Sequence, residues 1–305
     1  MTNQELKAAV LSIKKEQDAV ILAHTYQRPE VLDVADITGD SFMLSKAAQK
    51  LSASKVLLCG VRFMAETVKI LSPEKEVILS HHSAGCPMAE QIDPKAVESY
   101  RAAHPGHAVC AYINTTTALK AVCDVCVTSS SAVEIVSKLP ETDILFIPDQ
   151  NLGSYVQKAL PEKRLHFMNG FCYVHNAIRP EMVERMKREH PNAKIAMHPE
   201  CPADAVALAD MVGSTKEIIE YANESTGPIV FATERGVFDT LRQRHPEREF
   251  YQLEPDLMTC SNMKKTTLQG VYDALMGRAG EVILLDEELR RKAKKSIDNM
   301  LALGG

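Results

Sequence analysis

The sequence predicts an α/β protein of three similar three-layer αβα domains, each on a short parallel sheet, arranged around a pseudo-threefold axis. Cys86, Cys172 and Cys260 recur 86 and 88 residues apart. His24, Tyr112 and His198 keep the same register with separations of 88 and 86, as do Tyr26, Asn114 and Glu200 two residues further on. Within each copy, short Val-, Ile- and Leu-rich runs alternate with helical stretches, the pattern of parallel strands covered by helices. A unit of this length is too long for a solenoid repeat and falls in the lower part of the domain range of about 50 to 250 residues.

The first domain, residues 1–104, opens with a helix and then offers strand-like runs at 19–23, 55–59 and 76–79, with a helix over 41–51. The second, 105–190, repeats the runs at 108–113, 143–147 and 165–168, and the third, 191–305, at 193–197, 228–232 and 249–253. Each first run leads into a polar segment, AHTYQ, AYINT or MHPEC. An Asp followed shortly by hydroxyl residues comes next, in ADITGDS, CDVCVTS and ADMVGST. A terminal helix is expected over 286–303, because the segment begins acidic, is basic in its middle and stops at Gly304-Gly305. No Gly/Ser-rich linker separates the copies, so they are expected to pack as one body.

Composition narrows the function classes. With 45% apolar and 25% charged residues, the chain reads as globular rather than disordered. The segment MTNQELKAAVLSIKKEQ has no signal-peptide core and no run reaches membrane-spanning length, so a cytoplasmic protein with no membrane partner is expected. In that reducing compartment, eight cysteines point to thiols, metal ligands or redox groups rather than structural disulfides. The net charge of −5 weighs against nucleic acid and leaves small anions as partners. No Walker A sequence, HExxH or Rossmann glycine fingerprint is present.

Open α/β sheets bind ligands beyond the carboxyl ends of their strands. His24, Tyr26, Tyr112, Asn114, His198 and Glu200 all follow predicted strands. Ser41, Ser129, Ser214 and Thr215 read as helix openers, whose hydroxyls and free backbone amides suit carboxylate or phosphate; plain N-capping is the competing reading. About a threefold axis the cysteines converge too. Three thiolates cannot pair internally, and sulfur ligands suit an iron–sulfur cluster or zinc. A cubane held by three cysteines has one iron without a protein ligand, able to act as a Lewis acid. Core burial is the commoner fate of one intracellular cysteine, but the shared register outweighs it here.

The segments AHTYQ, GDSFMLS at 39–45, AGCPMA at 84–89, AYINTT, TSSSA at 128–132, NGFCYVH at 169–175, HPEC, GST at 213–215 and CSNMKKTTL at 260–268 resemble the quinolinate synthase family over nearly the whole chain. The resemblance implies three αβα domains around an oxygen-sensitive [4Fe-4S] cluster held by Cys86, Cys172 and Cys260. It implies a transferase with dehydratase chemistry that condenses iminosuccinate with dihydroxyacetone phosphate. Quinolinate, phosphate and water would leave, in de novo NAD biosynthesis, with iminosuccinate supplied by an enzyme acting on aspartate. His24, Ser41, Tyr112, Ile113, Asn114, Ser129, His198, Pro199, Glu200 and Thr215, with Ser214 beside it, match substrate-binding positions. Glu200 is expected to be a general base and Tyr26 a proton carrier, with Tyr112 and His198 also catalytic. The chain departs from the family pattern at Thr25, at Ser131 and in having a single cysteine where some relatives carry CxxCxxC.

The other candidates read more plainly. Cys123 and Cys126 form a CxxC without a second pair and are expected to be buried thiols, like Cys59 and Cys110, while Cys201 has no assigned role. His81-His82 on a strand would point to opposite faces, one buried and one exposed. His175 either approaches the site or is an ordinary hydrogen-bonded histidine. Lys264 and Lys265 read as solvated surface charge, with phosphate attraction as the alternative. A cluster held by one cysteine from each of three domains is also found in the diphthamide-synthesis radical enzymes, whose motifs are absent; a non-enzymatic alternative is an iron–sulfur sensor, which would carry a DNA-binding or protein-docking module, and none is visible.

Overall fold

The structure, a computed structural model, describes residues 1–304. Thirteen strands form three sheets. The first holds β1 (Ala19–His24), β2 (Ile37–Gly39), β3 (Lys55–Cys59) and β4 (Glu76–Leu79). The second holds β5 (Ala108–Tyr112), β6 (Val125–Val127), β7 (Asp143–Ile147) and β8 (Arg164–Phe167). The third holds β9 (Lys194–Met197), β10 (Met211–Val212), β11 (Ile229–Ala232) and β12 (Phe250–Gln252). In every sheet these four strands are parallel and lie in the same order, second, first, third, fourth. That order places the topological switch between the first and third strands, where such sheets bind ligands.

The first and third sheets show why the strands form where they do. Along β1 and β3, Ile21, Ala23, Leu57 and Cys59 pack against the helices Asn3–Glu16 and Leu268–Leu275. Leu22, Val56 and Leu58 join the opposite apolar cluster with helix Arg62–Leu71. Both faces are covered, so the strands are apolar throughout. In the third sheet, Ile195 and Val230 face helix Pro180–Glu189, while Ala196 and Phe231 face helices Thr215–Glu224 and Arg235–Arg244.

The fold class is the one predicted, and the nine expected strands fall within a residue or two of their runs. The second strands of each unit, at most three residues long, carried no such signal. The aspartate of each Asp-and-hydroxyl segment ties its second strand to the first. Asp36 Oδ2 accepts the Ile21 N–H at 2.8 Å, Asp124 Oδ2 that of Val109 at 2.8 Å, and Asp210 Oδ2 that of Ile195 at 2.9 Å. The helix expected over 41–51 spans Ser41–Ala48, and the terminal helix runs Glu287–Leu303 with Asp286 as its N-cap.

After Lys265 the chain leaves the third unit, where its order in the sequence had placed it. Helix Leu268–Leu275 packs on helix Asn3–Glu16. β13 (Glu281–Val282) then adds an antiparallel edge to β4, so the first sheet is mixed. Helix Glu287–Leu303 buries Ala293, Ile297 and Met300 against the second unit, where Ser296 Oγ donates to the Lys120 carbonyl at 3.0 Å and Asn299 Nδ2 to that of Asp124 at 2.8 Å.

Candidate active site

The strand ends of all three units open on one cavity, with about 760 Å³ of space between its lining atoms, part of it open to solvent. Twelve predicted residues line it: His24, Tyr26, Ser41, Cys86, Tyr112, Asn114, Ser129, Cys172, His198, Glu200, Thr215 and Cys260. Ile113 and Pro199 are buried beside it, and Ser214 instead caps helix Thr215–Glu224 through a capping box with Glu217. Ser41 and Thr215 open their helices as expected, but the second helix, Ala132–Lys138, has Ser131 at its N-cap, leaving Ser129 on the preceding turn.

Glu200 sits at the centre. Its Oε1 accepts the Tyr112 hydroxyl at 2.6 Å across a sequence separation of 88, and its Oε2 lies 2.9 Å from His175 Nδ1. Burial opposes its charge, but the facing His175 and His198 rings, with the bonds from His175 and Tyr112, hold it below the usual carboxylate range. Burial and the Glu200 charge push the Tyr112 and Tyr26 hydroxyls well above their ordinary values, so both stay protonated. Tyr26 Oη pairs with Thr215 Oγ1 at 2.9 Å, joining the first unit to the third.

The repeated histidines share a local geometry. His24 Nδ1 accepts the Tyr26 N–H at 3.1 Å, and His198 Nδ1 accepts the Glu200 N–H at 3.3 Å. Burial lowers each pKa to about 3, reinforced at His24 by the Lys264 charge. Both rings are therefore neutral, and because Nδ1 accepts, the proton resides on Nε2. In the second unit, Asn114 is held from behind by fully buried Lys120, whose Nζ donates to the carbonyls of Ile113 at 2.7 Å and Thr115 at 2.5 Å.

The three thiols occupy equivalent loops. In each, the first N–H of the helix after the third strand donates to the carbonyl two residues before the cysteine: Arg62 to Ala84 at 2.8 Å, Gln150 to Gly170 at 2.9 Å, Arg235 to Met258 at 2.7 Å. A 3₁₀ turn follows each cysteine or begins within a few residues of it. All eight cysteines are unpaired. Burial pushes the Cys86 thiol up to about 12 and raises Cys172 and Cys260 as well, so without a bound cation all three are neutral. Three converging thiols, with no fourth cysteine among the described lining residues, fit a thiolate-bound cluster that keeps one corner free.

Several lining residues escaped the sequence reading. Phe63, Tyr173 and Glu234 face the cavity; His175, for which the sequence left both readings open, faces it as Glu200's partner. Lys264 is not surface charge: only 12% of its side chain is exposed, and its Nζ lies 3.0 Å from buried Glu234 Oε1. Asp149 and Glu234 stand two residues past the third strands β7 and β11, in register with Val61 after β3, and that register was the available signal. Cys59, Cys110, Cys123 and Cys126 are buried free thiols as expected, and Cys201 is buried outside the cavity lining. His81 and His82 lie in a loop after β4 rather than on it, with rings stacked 5.0 Å apart and both reached by solvent.

Three αβα units meeting at a cavity with one thiol from each, beside a buried acid bonded to tyrosine and histidine, define an enzyme of a three-unit α/β class with its site where the units meet. The sequence model of the family described as quinolinate synthetase A protein matches residues 8–302. A quinolinate synthase of Alkaliphilus metalliredigens is 46% identical over 292 residues, covering 95% of this chain and 96% of its own. One from Clostridium acetobutylicum is 45% identical over 304 residues, covering 99% of each, and one from Geobacter metallireducens 41% identical with the same coverage. The chain belongs to the quinolinate synthase family. No helix among the described residues is long and apolar enough to cross a membrane.

Proposed function

We propose that this chain makes quinolinate from iminosuccinate and dihydroxyacetone phosphate, releasing phosphate and water, in the cytoplasm and in the service of NAD synthesis. An enzyme that produces iminosuccinate from aspartate would supply it. Cys86, Cys172 and Cys260 would hold an oxygen-sensitive [4Fe-4S] cluster, which would supply Lewis acidity. The observation that carries this reading is the meeting of these three thiols with Glu200 and its partners on one cavity.

None of the described lining residues is Lys or Arg, and Asp40, Glu200 and Glu234 are acidic, so anionic substrates would be held by hydrogen-bond donors rather than by cationic side chains. His24 and His198 present Nε2–H donors, and Ser129, Asn114 and Thr215 add hydroxyl and amide groups. Ser41 and Thr215 stand at helix starts, where free N–H groups can donate to carboxylate or phosphate oxygens. Glu200, ionised and bonded on both oxygens, is placed to take a proton from substrate carbon and pass it through Tyr112 or His175. Tyr26, protonated and bonded to Thr215, is placed to donate one to a departing hydroxyl. Closure by three units keeps bulk water from competing for these protons.

The test is anaerobic incubation of the purified protein with both substrates, with quinolinate, iron and sulfide measured on one sample. Quinolinate that forms only from iron- and sulfide-bearing protein meets the reading. Its absence from protein holding a full cluster refutes it.

A further inference from the structure

We propose that Asp149 and Glu234 are positioning residues that fix two of the three thiol loops and leave the Cys86 loop compliant, an inference that rests on the cysteine assignment above. Both are fully buried at equivalent places past the third strands of their units. One oxygen of each caps the following helix: Asp149 Oδ1 accepts the Asn151 and Leu152 N–H groups, each at 2.9 Å, and Glu234 Oε2 that of Gly236 at 2.7 Å. The other oxygen reaches the peptide N–H of the cysteine itself. Asp149 Oδ2 accepts from Cys172 at 3.0 Å, and Glu234 Oε1 from Cys260 at 3.0 Å.

One carboxyl group thus locks helix and thiol loop together, one oxygen accepting from the helix start and the other from the peptide N–H of the cysteine. The tie from the helix start to the carbonyl two residues before the cysteine is common to all three units. The carboxylate tie is not. Its place in the first unit is taken by Val61, and helix Arg62–Leu71 has no side-chain cap. Cys172 and Cys260 are therefore held at their own N–H and two residues before it, whereas Cys86 has no side-chain acceptor for its N–H among the described residues. Cys172 and Cys260 would hold a cluster from loops tied by a carboxyl group, and Cys86 from the one loop without that tie.

Asp149→Asn and Glu234→Gln keep the side-chain shape but turn one acceptor oxygen into an NH2 group that faces an N–H. After anaerobic reconstitution, Asp149→Asn should lose iron to a chelator about tenfold faster than the parent, the loss of one hydrogen bond, and Glu234→Gln at least as fast, since it also weakens the contact with Lys264. In cluster-free protein, amide hydrogen exchange should speed up at Cys172 in the first variant and at Cys260 in the second, with Cys86 unchanged in both. Parent-like iron loss together with parent-like exchange at those amides overturns the proposal. If the parent takes up no iron and sulfide, the cysteine assignment falls, and the exchange measurement still decides the carboxylate tie. Should Glu234→Gln fail to fold by far-UV circular dichroism, Glu234→Asp keeps the charge but is one methylene too short for both bonds. It should loosen Cys260 in the same assay, and parent-like exchange there overturns the proposal.

Discussion

Replacing Glu200 by glutamine separates proton transfer from structure, because the side chain keeps its size while losing its basicity. Glu200 is 3% exposed and bonded to Tyr112 at 2.6 Å and His175 at 2.9 Å. A glutamine carbonyl can still accept from Tyr112, and its NH2 can donate to His175 Nδ1 in the tautomer that carries its proton on Nε2, so both partners remain satisfied. The stability cost is therefore about 1 kcal/mol, the difference between a charged and a neutral hydrogen bond. Turnover should fall by about 10² to 10⁴, the usual worth of a positioned general base. Glu200→Ala, in contrast, leaves the Tyr112 hydroxyl and the His175 ring unpaired in a buried site, costing about 1–3 kcal/mol for each. The assay is anaerobic quinolinate formation at saturating substrates, with iron and sulfide counted and chemical unfolding run on the same preparation. A Glu200→Gln protein that carries a full cluster and turns over within threefold of the parent refutes the assignment of Glu200 as the base.

Serine at Cys86, Cys172 or Cys260 should lower bound iron and sulfide in each case, with unchanged metal content in all three counting against the ligand set. Tyr26→Phe removes the hydroxyl that meets Thr215 at 2.9 Å; activity should fall about tenfold or more while the unfolding free energy changes by about 1 kcal/mol or less, and equal activity would remove Tyr26 from the mechanism. His24 has a folded pKa near 3 against an ordinary 6.5, so the unfolded chain takes up the proton first. Its contribution to stability is complete above the unfolded value and is lost as pH falls from there toward 3. Between pH 5.5 and 4, His24→Gln should reduce the slope of stability against pH by about 1.4 kcal/mol per unit, and an unchanged slope would mean His24 is not buried in its neutral form.

Much of this was legible in the chain. The register of His24, Tyr112 and His198, and of Tyr26, Asn114 and Glu200, placed these residues at or just beyond strand ends, and the cysteine spacing placed one thiol in each unit. Strand and helix formation depends on local apolar periodicity and capping residues, which a sequence displays directly. The short second strands were not legible, because two or three residues pair only when an aspartate such as Asp36 has already tied the neighbouring turn to the first strand.

What the chain by itself determined is the set of groups: three thiols, a carboxylate, tyrosines, imidazoles and helix-start hydroxyls, each at the carboxyl end of a parallel sheet. Only the tertiary structure decided how they pair. Tyr112 meets Glu200 across 88 residues, Lys264 turns inward to Glu234, and helix Glu287–Leu303 returns to the second unit rather than the third. Protonation followed from that pairing, since burial and neighbouring charge keep His24 and His198 neutral and Glu200 ionised. Residue type and period act within a few positions along the chain. Distances between sheets are set by how whole apolar faces pack, and no local pattern encodes them.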